Sequence, residues 1–370
     1  MSRRPQVCVV QVPPFDPGRM LGGAEVIAVH LVRALTATAA VTVLHGTPNP
    51  APPAPRACSD FPAQILPAFP LDEHVRDRGH IHPRLTEPAR RVLAEADVVI
   101  TLERTLDLNH PPGAPRIALL GGVGYPHTLD VLRHQAWDRL VVPSPFVARQ
   151  VAEHAPQAPG VTVVQNGLDP ALFAPPRDSV PASPDVRLLV ASRPGWDKGF
   201  RRALGLARAL KATGTPTTLV CFAQPDGFGP PDFASQLRSE AAAHGVGLRV
   251  LPWRAHAEMP EVYHHADLTL CLGDAAEGFG LVAAESIACC TPVLACPAGF
   301  LAEMLPPGHG LHLTSPDANP ADLVPLAREA LAHGAEDCRS HGRPYITTRY
   351  NLTRMANTFT HLVYELAGAG

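Results

Sequence analysis

The sequence alternates short apolar segments with segments of helical periodicity, and this alternation occurs twice. In the first half, strands are predicted at residues 6–12 and 41–44, with a helix between them at residues 24–35. The pattern restarts with a strand at residues 187–191 and a helix at residues 201–213. Such alternation favours parallel sheets covered by helices on both faces. The sequence therefore predicts an α/β protein with two Rossmann-like domains that face each other across a cleft.

A proline-rich segment at residues 175–185 separates the two halves and is typical of a linker. We expect an N-terminal domain at residues 1–175 and a second domain at residues 186–345. A last helix within residues 350–370 is expected to pack back on the N-terminal domain. Since ligands of such sheets bind at the carboxyl ends of the strands, the cleft between the domains is the expected site.

The net charge, the apolar runs and the cysteine and histidine patterns indicate which partners and which location suit this protein. The formal net charge of −3 does not favour nucleic acid as a partner. No apolar run approaches the ~18 residues of a transmembrane segment, and the N-terminus is interpreted as a first strand, without a signal peptide. None of the eight cysteines forms a C-x-x-C pair, which favours free thiols and a cytoplasmic location. The paired histidines at 80/82 and 264/265 lack a third ligand, so no metal is predicted.

The segment after the predicted strand at residues 268–272 is the most informative motif. Two glutamates flank a glycine-rich turn and the start of a helix. Glycines let a ligand approach the backbone, and a helix N-terminus offers N–H groups to an anion. The carboxylates can accept hydrogen bonds from sugar hydroxyls, so the pattern suits a sugar nucleotide. The residues of this motif are Glu277, Gly278, Phe279, Gly280, Leu281 and Glu285.

A second cationic motif, SRPGWDKG, follows the first strand of the second domain. Arg193 can bind a phosphate through two N–H groups, and Lys198 supplies a compact charge. Of the 31 basic residues only Lys198 and Lys211 are lysine. A lysine kept in so arginine-rich a chain indicates a position where a diphosphate is neutralised. In the first domain, Gly22 and Gly23 lie in a loop that leads into a helix. They are predicted to approach the ligand, as the glycine-rich turn of the second domain does.

Taken in order, these motifs resemble glycosyltransferase family 4, whose members have the GT-B fold of two Rossmann-like domains. The resemblance covers most of the chain, and several modest motifs occur in the family's order and spacing. They are Gly22-Gly23-Ala24-Glu25, Val142-Pro143-Ser144, Asn166-Gly167-Leu168-Asp169 with Phe173, Arg193 with Lys198-Gly199, and the glutamate motif.

The resemblance implies a retaining transfer of a sugar from a nucleotide diphosphate sugar, UDP- or GDP-linked, with no permanently bound cofactor. Arg193 and Lys198 would stabilise the leaving diphosphate, Glu277 the sugar, and Glu285 the ribose or sugar. Trp253 and Arg254 lie where the family contacts the nucleobase. The acceptor, a small molecule or a glycan, would enter from the N-terminal domain. The composition is compatible with antibiotic biosynthesis and equally with cell-envelope glycans.

One position departs from the family. A histidine is common at the end of the strand that corresponds to residues 117–120, and here Gly121 takes its place. His127 follows in a glycine-rich loop, and it either swings toward the reacting sugar or is an ordinary loop residue. Because the departing phosphate can take the acceptor's proton in this family, the missing histidine does not exclude activity.

Two other functions stay open at this point. Sugar-nucleotide epimerases share the GT-B fold and need no acceptor. A non-catalytic homologue that only binds a nucleotide sugar is also compatible with the altered histidine position.

Overall fold

The computed structural model describes residues 3–18, 20, 22–48, 61–71, 78–106, 114–177, 183–223, 232–315 and 317–368. By their contacts these residues form two compact units. The first comprises Met1–Gly167 with Leu352–Gly370, and the second comprises Leu168–Asn351.

The first unit contains a seven-stranded parallel sheet in the order β3-β2-β1-β5-β7-β8-β9, and a separate two-stranded pair of β4 and β6. Its strands are β1 Gln6–Gln11, β2 Ala40–Pro48, β3 Gln64–Leu71, β4 His80–Ile81, β5 Val98–Leu102, β6 Thr105–Leu106, β7 Arg116–Leu119, β8 Arg139–Val142 and β9 Val161–Val163. Its helices are α1 Gly23–Thr36, α2 Glu87–Glu95, α3 Pro126–His134, α4 Pro145–His154 and, from the C-terminal end of the chain, α11 Leu352–Leu366.

The second unit contains a six-stranded parallel sheet in the order β12-β11-β10-β13-β14-β15. Its strands are β10 Val186–Val190, β11 Thr217–Phe222, β12 Gly247–Leu251, β13 Leu268–Cys271, β14 Val293–Ala295 and β15 Leu311–Leu313. Its helices are α5 Phe200–Ala212, α6 Phe233–Ala243, α7 Met259–His264, α8 Leu281–Ala288, α9 Leu323–Asp337 and α10 Arg343–Arg349. Short turns of other helix types cover Trp196–Lys198, His256–Glu258, Phe300–Glu303 and Cys338–Gly342.

The apolar runs of the sequence become the central strands. β5 is buried along all five residues because it lies between β1 and β7. In the second unit, β10 lies between β11 and β13, and its last three residues are buried. Burial of both faces explains the continuous apolar runs Val98–Ile100 in β5 and Leu188–Val190 in β10.

Residues 168–175 lie in the second unit, where the sequence placed them in the first. Arg343 explains this, since its guanidinium donates to the carbonyl oxygens of Pro170 and Phe173. The predicted linker falls partly on residues 178–182, which lie outside the described residues. Helix α11 belongs to the first unit, where the Tyr364 hydroxyl donates to the carbonyl of Thr38 at 2.9 Å.

No helix within the described residues is long and apolar enough to cross a membrane. Seven described cysteines are free; six of them are buried and Cys271 is half-buried. Cys58 lies outside the described residues.

Candidate functional site

The loops after β10 and β13 meet through an ion pair between the two motifs predicted to act together. Lys198 Nζ lies 2.8 Å from Glu277 Oε1. The Lys198 side chain is 16% exposed and that of Glu277 is 38% exposed, so the pair lies at the surface with its cation more enclosed. This places a lysine and a carboxylate together at the carboxyl ends of two adjacent strands.

Glycines allow these two loops to approach so closely. A Cβ on Gly199 would lie 2.3 Å from the carbonyl carbon of Leu272, and Gly199 has a φ of +80°. On the other side, a Cβ on Gly273 would lie 2.7 Å from the carbonyl oxygen of Asp197. Both distances are too short for a real side chain, so the contact of the two backbones requires glycine at both positions.

The backbone of Glu277 is fixed from a third loop. Its N–H donates to the carbonyl of Ala298 at 3.3 Å, and its carbonyl accepts from the N–H of Phe300 at 2.8 Å. Gly299, between Ala298 and Phe300, has a φ of +71°. A Cβ there would lie 2.3 Å from the backbone carbonyl oxygen of Glu277. The backbone that carries the carboxylate paired with Lys198 is therefore fixed by hydrogen bonds on both sides.

Arg193 also has a carboxylate partner within its own loop. Its Nη2 lies 2.7 Å from Asp197 Oδ2. The Arg193 side chain is half-buried, whereas Asp197 is exposed. Both predicted phosphate ligands are thus oriented by acidic residues in this structure, and Asp197 was not singled out from the sequence.

Helix α8 begins at this site with a glycine as its N-cap. Gly280 has a φ of +90° and provides no side-chain cap. The first N–H groups of an α-helix have no partner within the helix. Those that follow Gly280, beginning at the half-buried Leu281, are available to an anion. Gly278 is half-buried in the same turn.

Phe279 was predicted to contact the ligand, but its side chain is buried in the structure. Its side chain is 4% exposed and lies in an aromatic cluster, with ring centroids 5.6 Å from Phe300 and 5.2 Å from Tyr350. It anchors the turn from inside the unit because a phenyl ring gains more from burial than from exposure at a polar site. A ligand can reach only its backbone.

Glu285, which the sequence predicted to bind the ribose or the sugar, is buried in the structure. Its Oε1 lies 2.9 Å from His256 Nε2, and its Oε2 accepts from the Tyr263 hydroxyl at 2.8 Å. Only 8% of its side chain is exposed. The carboxylate raises the pKa of Tyr263, an effect that adds to the larger one of burial. Neither His256 nor Tyr263 was predicted, because both partners come from a distant part of the sequence.

Trp253 and Arg254 follow β12 at the edge of the same sheet. The Trp253 ring is half-buried, and its centroid lies 5.5 Å from that of Phe222. Arg254 Nη1 lies 3.4 Å from Glu258 Oε1. The indole therefore packs on one side and keeps part of its surface accessible.

In the first unit, Gly22 is the N-cap of α1 and Gly23 is its first residue. The backbone of Gly22 is extended, and among the described residues a Cβ there would meet only Glu25 Oε2, at 3.9 Å. The packing of these described residues therefore does not require a glycine at position 22. Gly23 is exposed.

His127 lies in the first turn of α3 and not in a loop that could swing, so the sequence interpretation was wrong on this point. Pro126 at the start of the helix fixes this turn. The His127 ring stacks on that of Tyr125, with centroids 5.4 Å apart. Burial and, to a smaller extent, the charge of Arg104 together lower the pKa of His127 to about 4. His127 is therefore neutral near pH 7.

Glu103 was missed by the sequence analysis. It follows β5, and its Oε1 accepts a hydrogen bond from the Gly121 N–H at 2.7 Å. It thus lies beside the position where the family commonly has a histidine. A carboxylate directly after a buried parallel strand was a signal that could have identified it. Within the described part of the chain, no group of three or more His, Cys, Asp or Glu side chains could hold a metal ion.

Comparison with known sequences finds one protein family that matches most of the second unit. The match includes both the cationic loop after β10 and the acidic loop after β13. Residues 176–343 match the family model described as glycosyl transferases group 1. The D-inositol 3-phosphate glycosyltransferase of Kineococcus radiotolerans is 31% identical over 218 residues, which are 53% of this chain and 50% of that protein. The chain thus spans about half the length of this curated relative.

Comparison with solved structures extends over both units. The Anabaena protein HepE, solved in complex with UDP and glucose, has a TM-score of 0.73 and 16% identity over 98% of this chain and 100% of its own. Sucrose-phosphate synthase from Thermosynechococcus elongatus has a TM-score of 0.79 and 20% identity over 100% of both chains. The predicted α/β fold class of the GT-B glycosyltransferases is confirmed, and so is the predicted resemblance to glycosyltransferases.

Proposed function

We propose that this protein, which matches the group 1 glycosyl transferases over residues 176–343, transfers a sugar from a UDP- or GDP-linked donor to a hydroxylated acceptor. Within that group we assign it to the retaining enzymes of family 4. The observation that carries the proposal is the ion pair between Lys198 and Glu277, 2.8 Å long, at the ends of two adjacent strands. It brings a cation suited to phosphate beside a carboxylate suited to sugar hydroxyls.

The chemistry follows from the charges at this site. In the transfer, the bond from the anomeric carbon to the diphosphate oxygen breaks, and its electron pair leaves with the diphosphate. Lys198, Arg193 and the first N–H groups of α8 stabilise the negative charge that develops there. The acceptor oxygen bonds to the same face of the anomeric carbon, and its proton goes to the departing phosphate. The configuration at that carbon is thereby retained.

The two glutamates have different roles in this proposal. Glu277 is 38% exposed and can accept a hydrogen bond from the transferred sugar while Lys198 turns toward the phosphate. Glu285 is bound by His256 and Tyr263, so it shapes the turn on which the nucleoside lies and offers its remaining lone pairs to the ribose. Trp253 stacks on the nucleobase and Arg254 lies beside it.

We place the acceptor on the first unit, near Gly22, Gly23 and the turn at Gly121–Gly124. Among the described residues, no heavy atom lies within 4 Å of a Cβ placed on Gly122 or Gly124. This open space suits a bulky acceptor, such as a small molecule of antibiotic biosynthesis or the end of a glycan. HepE, which has the same fold, was solved with UDP and with glucose, and this supports a nucleotide-sugar donor.

The test is product analysis with and without acceptors. The protein is incubated with UDP-glucose or GDP-mannose, alone and with a panel of monosaccharides, inositol phosphates and aromatic alcohols. We expect a new glycoside only when an acceptor is present, with the donor's anomeric configuration in its NMR spectrum. An epimerised donor formed without acceptor would instead identify an epimerase. Donor binding without any conversion would identify a non-catalytic binding protein.

A further inference from the structure

Glu103 and Gly121 lie next to each other at the carboxyl ends of two paired strands. Glu103 follows β5 and its N–H donates to the carbonyl of Leu119 at 2.8 Å, which extends the pairing of β5 with β7. The Gly121 N–H in turn donates to Glu103 Oε1 at 2.7 Å. A Cβ on Gly121 would lie 2.8 Å from that same oxygen. The absence of a side chain at Gly121 therefore makes room for the carboxylate.

The backbone of Glu103 has a left-handed conformation. Its φ is +58°, which residues other than glycine rarely adopt. Two other described residues share this feature, Gln135 with a φ of +45° and Cys290 with a φ of +65°. Both follow helix ends, where left-handed backbone is common. Glu103 instead lies in the two-residue bend that joins β5 to β6, and backbone strain of this kind clusters at functional sites.

One oxygen of this carboxylate is available to a ligand. Oε1 is bound by Gly121, whereas Oε2 has no hydrogen-bond partner among the described residues. The side chain is half-buried. In the turn that begins at Gly121, a Cβ placed on Gly122 or Gly124 would meet no heavy atom of the described residues within 4 Å.

Few charges act on this carboxylate. Burial raises the pKa of Glu103 to about 7, and the Gly121 N–H and the charge of Arg104 oppose that shift. Arg104 Nη1 donates to the Glu103 carbonyl at 2.9 Å, so it lies in the same turn. His127, from α3, is also near Arg104 and is neutral near pH 7. Glu103 thus changes charge near neutral pH with Arg104 as its one charged neighbour within the described residues.

We propose that Glu103 binds a hydroxyl group of the acceptor through Oε2 and so determines which acceptor is used. The proposal rests on the glycosyltransferase function proposed above. An ionised carboxylate accepts a stronger hydrogen bond than a neutral one. The sign of the pH effect follows: acceptor binding improves as pH rises through about 7 and the Glu103 carboxyl loses its proton.

Three variants test this. Glu103→Gln keeps the size of the side chain and an oxygen for the Gly121 N–H, but it does not ionise. Glu103→Gly relieves the backbone strain and removes the carboxylate. Gln135→Gly is the matched control, since it relieves a similar left-handed strain at the end of α3 and leaves the Glu103 carboxylate in place.

The measurements use UDP-glucose and the best acceptor of the panel above. We expect Glu103→Gln and Glu103→Gly to raise the acceptor KM about 10-fold or more, with the affinity for UDP unchanged. We expect the increase of kcat/KM for acceptor with pH to vanish in Glu103→Gln. The Gly121 amide signal should titrate near pH 7 in the wild type and not in Glu103→Gln. Gln135→Gly should be as stable as or more stable than the wild type, with an unchanged acceptor KM.

The outcomes separate the two proposals. Wild-type acceptor KM and pH profile in Glu103→Gln would overturn the role of Glu103, while transfer by the wild type leaves the proposed function intact. A wild-type protein that transfers sugar to no acceptor would overturn both.

Discussion

Lys198 and Glu277 are 79 residues apart in the sequence, and their side chains form an ion pair of 2.8 Å. The pair exists because β10 and β13 are neighbours and their following loops contact each other through Gly199 and Gly273. It holds the two groups side by side at the strand ends before a ligand arrives. When a diphosphate binds, the ammonium can turn to it and the carboxylate can turn to the sugar.

Gly199→Ala should destabilise the second unit and weaken donor binding. The new methyl would lie 2.3 Å from the carbonyl carbon of Leu272, so the two loops must separate. Gly214→Ala is the matched control, because Gly214 has a φ of +86° but nothing within 4 Å of the added atom. The left-handed strain alone costs ~1–2 kcal/mol. Urea unfolding should show a larger loss for Gly199→Ala; an equal loss in both variants would argue against the loop contact.

Glu285→Ala should destabilise the protein more than Glu277→Ala does. It leaves the buried His256 and the Tyr263 hydroxyl without their acceptor, and such groups cost ~1–3 kcal/mol when unpaired. Glu277 is more exposed, so its loss should affect turnover more than stability. Thermal unfolding and turnover of both variants check this. Glu285→Gln, which retains the volume of the side chain, should recover part of the stability; equal stability of all three variants would contradict the buried network.

His127 should contribute a loss of stability at acid pH. Its pKa is about 4 in the folded protein, against ~6.5 in an unfolded chain, so the unfolded state binds more protons between these values. Stability is therefore lost as pH falls from about 6.5 toward 4. For a half-buried group we expect ~1–2 kcal/mol, a loss that His127→Asn should lack. Unfolding in urea at pH 7 and pH 4.5 measures it. The control variant His154→Asn, at an exposed position of α4, should lose as much stability between pH 7 and pH 4.5 as the wild type does.

Gly121→His should obstruct the acceptor and leave donor affinity unchanged. Its Cβ would lie 2.8 Å from Glu103 Oε1, so the carboxylate must move. Gly122→Ala adds a methyl where no heavy atom lies within 4 Å and controls for the loss of backbone freedom. Measurements of the acceptor KM and the UDP affinity of both variants test this prediction. Faster transfer by Gly121→His would mean that the turn has lost the family's histidine and is not adapted to a larger acceptor.

Much of the fold followed from local sequence signals. Helix α4 begins at Pro145, and the Ser144 hydroxyl caps it by accepting from the Val147 N–H at 3.2 Å. Both signals are visible in the sequence and predict a helix at residues 145–154, which are the bounds of α4 in the structure. Helix α3 was missed, although Pro126 marked its start, because the preceding glycines suggested a longer loop. β15 has three residues, too few to show a periodicity.

The sequence identified candidate site residues by their type, but it could not predict their pairings. The sequence indicated that Lys198, Glu277 and Glu285 serve one site, but their partners depend on which strands are neighbours. His256 and Tyr263 lie 29 and 22 residues before Glu285, and only the packing of the unit brings them to its two oxygens. The same holds for Glu103, whose strained backbone and bond to Gly121 leave no trace in local composition.

Calorimetric titration with UDP-glucose and GDP-mannose tests the central claim most directly, with Lys198→Ala compared to Lys211→Ala. These are the chain's two lysines, so each variant removes the same charge. Lys211 Nζ donates to the carbonyl of Gly245 at 2.5 Å on an exposed surface. We predict that Lys198→Ala weakens the preferred donor ~10-fold or more, while Lys211→Ala binds it like the wild type. Wild-type affinity in Lys198→Ala would contradict the proposed diphosphate site.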